Sequence, residues 1–431
     1  MCLMNTIDMS NDYKGLLVVI PTRNRADLAI NAILSVLNQP NCEEVQVLVS
    51  DNSTDLKDIE ILHKFCQEND NERLKYIKPP EPLSMSKHWD WAINKALELY
   101  DLNHFLYLTD RTIFKLNDLK EIKLIAQMYP EEIISYGYDT VLDHKTPVEV
   151  LENIWTGKIL KVKSSHLLSL SSKCIMPASL PKMLNCVVPR SIFNTLSNHF
   201  KNIFTSISPD YCFAYRCLAI CEHILYYDKA PISMYGIERS NGSAFCRGLY
   251  SETTKDFITS STLNGSGLLA DSPIPEFRCV CNAKLNEYYF VKKETRSPKF
   301  LDIDKGKYLE AVAGEVACFE NEELKLKMLE LLKLNGWQEK NVSISSTLMT
   351  NLKKIKKLFN IKKVFKKIIQ LTSKDKNISN PNFNTAQEAI EYATLNHGKK
   401  TSNIEHLKYL IESEDVTSNL QEEIFVNKCD K

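Results

Sequence analysis

Glycine is scarce in this sequence, 12 residues in 431. Hydrophobic residues make up 44% and charged residues 25%, close to globular averages, so disorder cannot dominate the chain. No apolar run reaches the roughly 18 residues that a spanning helix needs, which excludes a transmembrane segment of that kind. The stretch from Met1 to Gly15 has no basic region followed by an apolar one, so no secretory signal is expected and a cytoplasmic location is. Charge of one sign is also missing: Lys plus Arg and Asp plus Glu balance at 54 each. The whole molecule therefore carries no field that argues for nucleic acid, and any electrostatic partner must be met by a local patch. The 13 cysteines lack the paired spacing of a zinc ribbon. Cys279 and Cys281 are two apart and Cys217 and Cys221 one helical turn apart, with no second matching pair. Scattered through apolar stretches, they read as reduced, buried thiols.

What is present is an alternation. Residues 16–20 form a continuous apolar run ending at Pro21, as a buried parallel strand does, and apolar residues then recur at helical spacing from Arg25 to Pro40. Strands follow at 45–49, 74–77 and 105–108. Helices are expected at 56–69 and from Ser84 or Ser86 to Leu97. Such alternation predicts an α/β fold with a mostly parallel sheet and helices on both faces. In these sheets ligands sit at the carboxyl ends of the strands. Three of those ends carry polar clusters: Pro21-Thr22-Arg23-Asn24-Arg25, then Asp51 to Asp55, then Thr109-Asp110-Arg111.

The alternation weakens beyond Tyr136. Residues 139–182 are polar and mixed, suited to variable loops. Ser208-Pro209-Asp210 reads as a helix start, with the helix running to Cys221, and strands fit 224–227 and 232–235. Helical periodicity returns over 308–335 and again over 385–412. The chain divides into a catalytic domain at 1–245, a mixed and helical extension at 246–340, a basic amphipathic segment at 341–375 and a helical tail at 376–431.

Each cluster has a chemical use beside a structural one. The two arginines of the first can meet phosphate, or the stretch is a solvated helix start. In the second, Asp51 can accept from a base or ribose, with Ser53 and Asp55 shaping the turn, or the whole is an Asx turn. In the third, Asp110 ends a central buried strand, where a carboxylate is costly without a partner or a task. His88 and Trp89 can line a pocket or belong to the core, and 239–243 can form a flap.

Taken together these motifs resemble the inverting glycosyltransferases of family 2, with the GT-A fold, over about residues 15–240. The resemblance implies donor contacts from Pro21, Thr22, Arg23, Asn24, Arg25, Asp51, Ser53, Asp55, Asp110 and Arg111. It implies a general base at Asp210, in the run Asp210-Tyr211-Cys212-Phe213-Ala214-Tyr215-Arg216, which takes the acceptor proton in a single displacement. An early-helix acid favoured by the dipole is the plainer reading of Asp210. The resemblance further implies a nucleotide diphosphate sugar, UDP-linked by bias, as donor, and a surface polysaccharide (capsule or lipopolysaccharide) or lipid-linked glycan as acceptor.

One departure stands out: Arg111 occupies the place where family members usually have a second acid. Either Asp110 alone, with diphosphate and waters, holds Mg²⁺ or Mn²⁺, or the guanidinium neutralises the diphosphate itself. A catalytically degenerate scaffold is the alternative in which Arg111 marks lost activity. A nucleotidyltransferase is disfavoured, since the first strand lacks the Gly-rich loop that holds a nucleoside triphosphate.

Eight lysines between 353 and 367 alternate with apolar residues over 352–369. The pattern suits an anionic membrane surface, giving a peripheral protein on the inner face of the plasma membrane. The apolar stripes before and after Asn360 point about 110° apart on one straight helix. A break there would let both halves face lipid; helices packed on the catalytic domain with solvated lysines are the other reading.

Overall fold

The computed structural model describes residues 13–69, 71–146, 148–151, 153, 155–205, 207–249, 269–338, 386–395 and 414–415. The basic segment 352–369 and most of the expected tail helix lie outside them.

The first half is the expected alternation: β1 (Leu16–Thr22), α1 (Ala26–Leu37), β2 (Gln46–Asp51), α2 (Leu56–Glu68), β3 (Leu74–Ile77), α3 (Met85–Leu99) and β4 (His104–Tyr107). β4, β1, β2 and β3 lie side by side and parallel, with Thr22 opposite Asp51 in the register. Every residue of β1 is buried. Leu17 and Val19 enter one core while Leu16, Val18 and Ile20 enter the other. That two-sided burial is why the strand is a solid apolar run rather than an alternating one. α1 and α4 (Asp118–Met128) cover one face; α3 and α7 (Pro209–Ile220) cover the other.

The second half is mixed. β9 (Cys186–Pro189) runs antiparallel to both β4 and β6 (Ile134–Leu142), so β6 points the same way as β4. β10 (His223–Met234) is parallel to β6 and antiparallel to β8 (Ile159–Lys163) and to β5 (Thr112–Phe114). β7 (Glu149–Leu151) pairs with β6, and β11 (Glu414–Asp415) adds to β8. The two strands expected at 224–227 and 232–235 are one strand with a register shift between Tyr227 and Ile232. The polar stretch 139–182 is more regular than its composition suggests, since it holds β7, β8 and α5 (Ser164–Ser172). α6 (Arg190–His199) follows β9 directly.

After α8 (Asn241–Cys246), helices α9 (Val280–Thr295), α10 (Lys305–Val316) and α11 (Glu322–Leu334) pack on the α7 side of the sheet. Tyr288, Val291, Tyr308, Val312, Met328 and Leu332 share one core with Phe213 and Tyr215. The single helix expected over 308–335 is two. Asn321 caps the second by accepting from the Leu324 N–H at 3.0 Å, and Phe319 between them is buried. α12 (Ala386–Leu395) packs Ala389 and Ile390 with Leu28, Val141 and Tyr235.

Candidate functional site

The carboxyl ends of β1, β2 and β4 are neighbours, and the three polar clusters meet there. Asp110 sits three residues past β4, in the turn that leads into β5. Thr22, the last residue of β1, donates its hydroxyl to Asp110 Oδ2 at 2.9 Å, and Arg25 Nε stands 2.9 Å from the same oxygen. Asp110 is only 1% exposed. Burial pushes its carboxyl above the usual carboxylate range, against the pull of Arg25, Thr22, Arg111 and Arg239.

Arg111 is anchored through its backbone, whose carbonyl accepts from the Tyr235 N–H at 2.9 Å. Its Nη1 makes only long contacts, 3.4 Å to the carbonyls of Tyr235 and Gly236. Gly236 has φ +62, and a Cβ there would meet the Arg111 stem at 3.6 Å; glycine is thus required by backbone conformation more than by space. Asp143 accepts from the Gly236 N–H at 2.9 Å and faces Arg111 electrostatically. From the loop proposed as a flap, Arg239 bonds Asp27 at 2.6 Å and its carbonyl accepts from Arg25 Nη1 at 3.3 Å.

Several donor candidates also brace the edge through hydrogen bonds of their own. Asp51 is fully buried; its Oδ1 accepts from the Ser53 N–H and its Oδ2 from the Tyr76 hydroxyl, both at 2.8 Å. Asn24, at φ 53, accepts through Oδ1 from the N–H groups of Thr54 and Asp55, while Ser53 Oγ accepts from the Asn24 N–H at 2.7 Å. Asp55 caps α2, accepting from Lys57 and Asp58. Pro21 is buried opposite Ser50 in the ladder. Arg23 is exposed and donates to the Leu83 carbonyl at 3.1 Å. Asn52, which the sequence did not single out, holds that same loop by exchanging two bonds with Leu83, at 2.8 and 2.9 Å.

His88 and Trp89 belong to the interior. His88 Nε2 lies 2.8 Å from Ser50 Oγ, and Trp89 packs edge-on to Tyr107 and Phe204. Burial pulls the His88 imidazole down to about 3, below its unfolded value of about 6.5. The unfolded chain thus takes up this proton first, so the associated stability is complete above that unfolded value and is lost as pH falls from it towards 3. In urea unfolding, the stability advantage of the native protein over His88→Gln is expected to shrink by about 2 kcal/mol between pH 7 and pH 5. An advantage that does not change with pH would contradict the buried neutral ring.

Asp210 lies at the start of α7, on the face of the sheet that α3 also covers. It is the second residue of α7, half-buried, and the only acid of that helix's first turn. The lysines closest to it electrostatically are Lys182 and Lys284, neither evident from the sequence. Lys182 Nζ lies 5.5 Å from the Tyr138 ring and 5.6 Å from the Tyr211 ring, and Lys284 Nζ lies 5.3 Å from the Tyr211 ring. Tyr138 is the middle residue of β6, which runs in the same direction as β4, and the registers through β9 set Ile134 about level with Leu106, so Tyr138 lies about level with Asp110. Burial raises the Asp210 carboxyl, while Lys182, the backbone N–H groups of the first turn and Lys284 draw it down; the net direction is upward.

As a cation site Asp110 is poor. Among the described residues no three His, Cys, Asp or Glu side chains cluster as metal ligands. Divalent magnesium or manganese needs accessible oxygens, whereas Asp110 is enclosed, holds Thr22 and Arg25, and has a second guanidinium next in the chain. The donor set does not fit the cation that the family resemblance implies.

Residues 17–110, from β1 to Asp110 itself, match the family model of glycosyl transferase family 2. That match spans about a fifth of the chain. Among solved structures, S. aureus TarS 1-349 in complex with UDP-GlcNAc is 13% identical, with 74% of this chain and 88% of that one covered at a TM-score of 0.41. The same TarS fragment with UDP is also 13% identical, with 74% and 87% covered at 0.40. GalNAc-T7 with UDP, GalNAc and Mn²⁺ is 12% identical, with 51% and 43% covered at 0.39. No curated protein sequence matches the chain. The family 2 match ends where the structure places the Thr22, Arg25 and Asp110 cluster. Asp210, Lys182 and Lys284 lie beyond it.

Proposed function

We propose that this family 2 domain transfers a sugar from a nucleotide diphosphate sugar, with UDP as carrier, to a hydroxyl of a surface polysaccharide or lipid-linked glycan, with inversion. The observation that carries the reading is the shared edge: the β1, β2 and β4 ends with Asp110 and its arginines on one side, and a half-buried Asp210 on the other. In the reaction the acceptor oxygen attacks the anomeric carbon as its bond to the diphosphate oxygen breaks. That bonding pair leaves on the diphosphate, and the acceptor proton passes to the Asp210 carboxylate, whose raised affinity for protons suits a general base. Arg25 and Arg111 stand where the departing negative charge collects. The Asp51 turn sets the spacing of the β1 and β2 loops against which the nucleoside lies.

A thermal-shift screen across UDP-, GDP-, CMP- and dTDP-sugars tests the donor assignment, because a ligand that binds only the folded state raises the melting temperature. A UDP-sugar is expected to give the largest rise. No rise with any of the four would remove the basis for a transferase.

In this reading, the lysines of 352–369 hold the enzyme against anionic lipid while it meets its acceptor. Sedimentation with phosphatidylglycerol vesicles is expected to be strong at low salt and lost at high salt. Equal sedimentation with neutral vesicles would count against it.

A further inference from the structure

Around Asp110 the sheet edge brings together more guanidinium than free carboxylate. Arg25 is fixed on both sides, by Asp110 at 2.9 Å and by the Arg239 carbonyl at 3.3 Å. Arg111 is fixed at its backbone, while its Nη1 reaches carbonyls only at 3.4 Å, long for a hydrogen bond and easily exchanged for a stronger acceptor. Asp27 neutralises Arg239 at 2.6 Å. Each guanidinium has five N–H groups in a planar fork, more than these contacts occupy. We propose that Arg25 and Arg111 take the place of a divalent cation, gripping the donor's diphosphate directly, so that the enzyme binds and uses its donor without metal. This rests on the donor reading above and adds how the diphosphate is held.

Two features of the edge support the assignment. First, Asp110 has a different task from metal ligation: enclosed, and bonded to the Thr22 hydroxyl, it locks Arg25 in place and sets the distance between the two forks. Second, guanidinium matches phosphate oxygens in pairs, with charge-assisted bonds about twice as strong as neutral ones. It can stabilise the departing diphosphate in the way a cation would. A divalent ion placed here would face Arg25 and Arg111 at short range with one enclosed carboxylate in return.

Titration calorimetry with UDP on the full chain tests the proposal, using metal-stripped protein in EDTA and the same protein with Mn²⁺. The expected affinities in the two buffers agree within about threefold. In EDTA, Arg111→Ala is expected to weaken UDP binding by about 10- to 100-fold with an unchanged melting temperature, and Arg111→Lys to recover part of the loss. Arg111→Asp, which supplies a second acid, is expected to bind UDP only with Mn²⁺. Wild-type binding that vanishes in EDTA and returns with Mn²⁺ overturns the proposal while leaving the donor reading intact, as does Arg111→Ala binding as tightly as wild type. Absence of binding in both buffers overturns the donor reading and this inference with it.

Discussion

Asp210→Asn is expected to lose sugar transfer by about 10²- to 10⁴-fold while binding the nucleotide donor as tightly as the native protein. The amide keeps the shape of the carboxyl and its place in the first turn of α7 but accepts no proton from the acceptor hydroxyl. The lost helix-dipole interaction costs only about 0.3 to 1 kcal/mol, so a fall in activity of that size cannot come from unfolding. Burial holds the Asp210 carboxyl above its ordinary range, with Lys182 and Lys284 drawing it back. The base acts only when ionised. The acidic limb of the rate profile is therefore expected above the usual Asp value of about 3.9, with activity lost as pH falls through it. Lys182→Met removes the nearest compensating charge and is expected to move that limb to higher pH. Turnover of donor at saturating acceptor, measured beside donor affinity, separates this from a binding defect. Turnover equal to wild type in Asp210→Asn would assign the residue to its plainer role as an early-helix acid.

The second large effect is on stability. Arg216, two turns along the same helix, is 1% exposed. Its guanidinium makes paired bonds to Glu294 at 3.0 and 2.8 Å, bonds the carbonyls of Asn202 and Ile203, and stacks 4.4 Å from the Phe200 ring. One side chain thus ties α7 to α9 and to the loop after α6. Arg216→Ala strips the partner from Glu294, leaves two carbonyls without donors and opens space beside Phe200. Glu294 keeps solvent access, with 30% of its side chain exposed, so the loss falls on the unpaired carbonyls and the packing beside Phe200 and is about 1 to 3 kcal/mol, a sizeable part of the roughly 5 to 15 kcal/mol available to a domain. The urea midpoint is expected to fall accordingly. A loss under about 1 kcal/mol would show that the pair is replaceable and that the α9 contact adds little.

Position in the sheet explains which parts of this were legible in the sequence. β1, β2 and β4 are short apolar runs buried on both faces, whereas β3 is an edge strand with only partly covered residues; each lies within two residues of its expected place, and β3 has the expected bounds. Strand ends could therefore be read, and with them Thr22, Arg25, Asp110 and Arg111. What those residues touch could not. Asp55 and Asn24 have the same residue types as ligand-binding groups, but the structure uses them to cap α2 and clasp two loops, and local pattern does not separate the two uses. β8 escaped because Ile159–Lys163 alternates with lysines, as a half-covered strand does, inside a stretch of mixed composition. The one long helix over 308–335 failed at Asn321, whose capping bond is a local signal available in the text. Lys182 and Lys284 were invisible for another reason. They lie about 100 residues apart and acquire meaning only when Tyr138, Tyr211 and Asp210 come together around them.

The central claim is that the arginines beside Asp110 and the carboxylate of Asp210 serve one reaction in one crevice. A crystal structure of the enzyme with a bound, non-hydrolysable UDP-sugar tests it most directly. The diphosphate should lie against Arg25 and Arg111, the nucleoside over the β1 and β2 loops, and the anomeric carbon should face Asp210 across a gap that admits one acceptor hydroxyl. A nucleotide seated away from the β1, β2 and β4 ends, or one whose sugar turns its back on Asp210, would contradict the account.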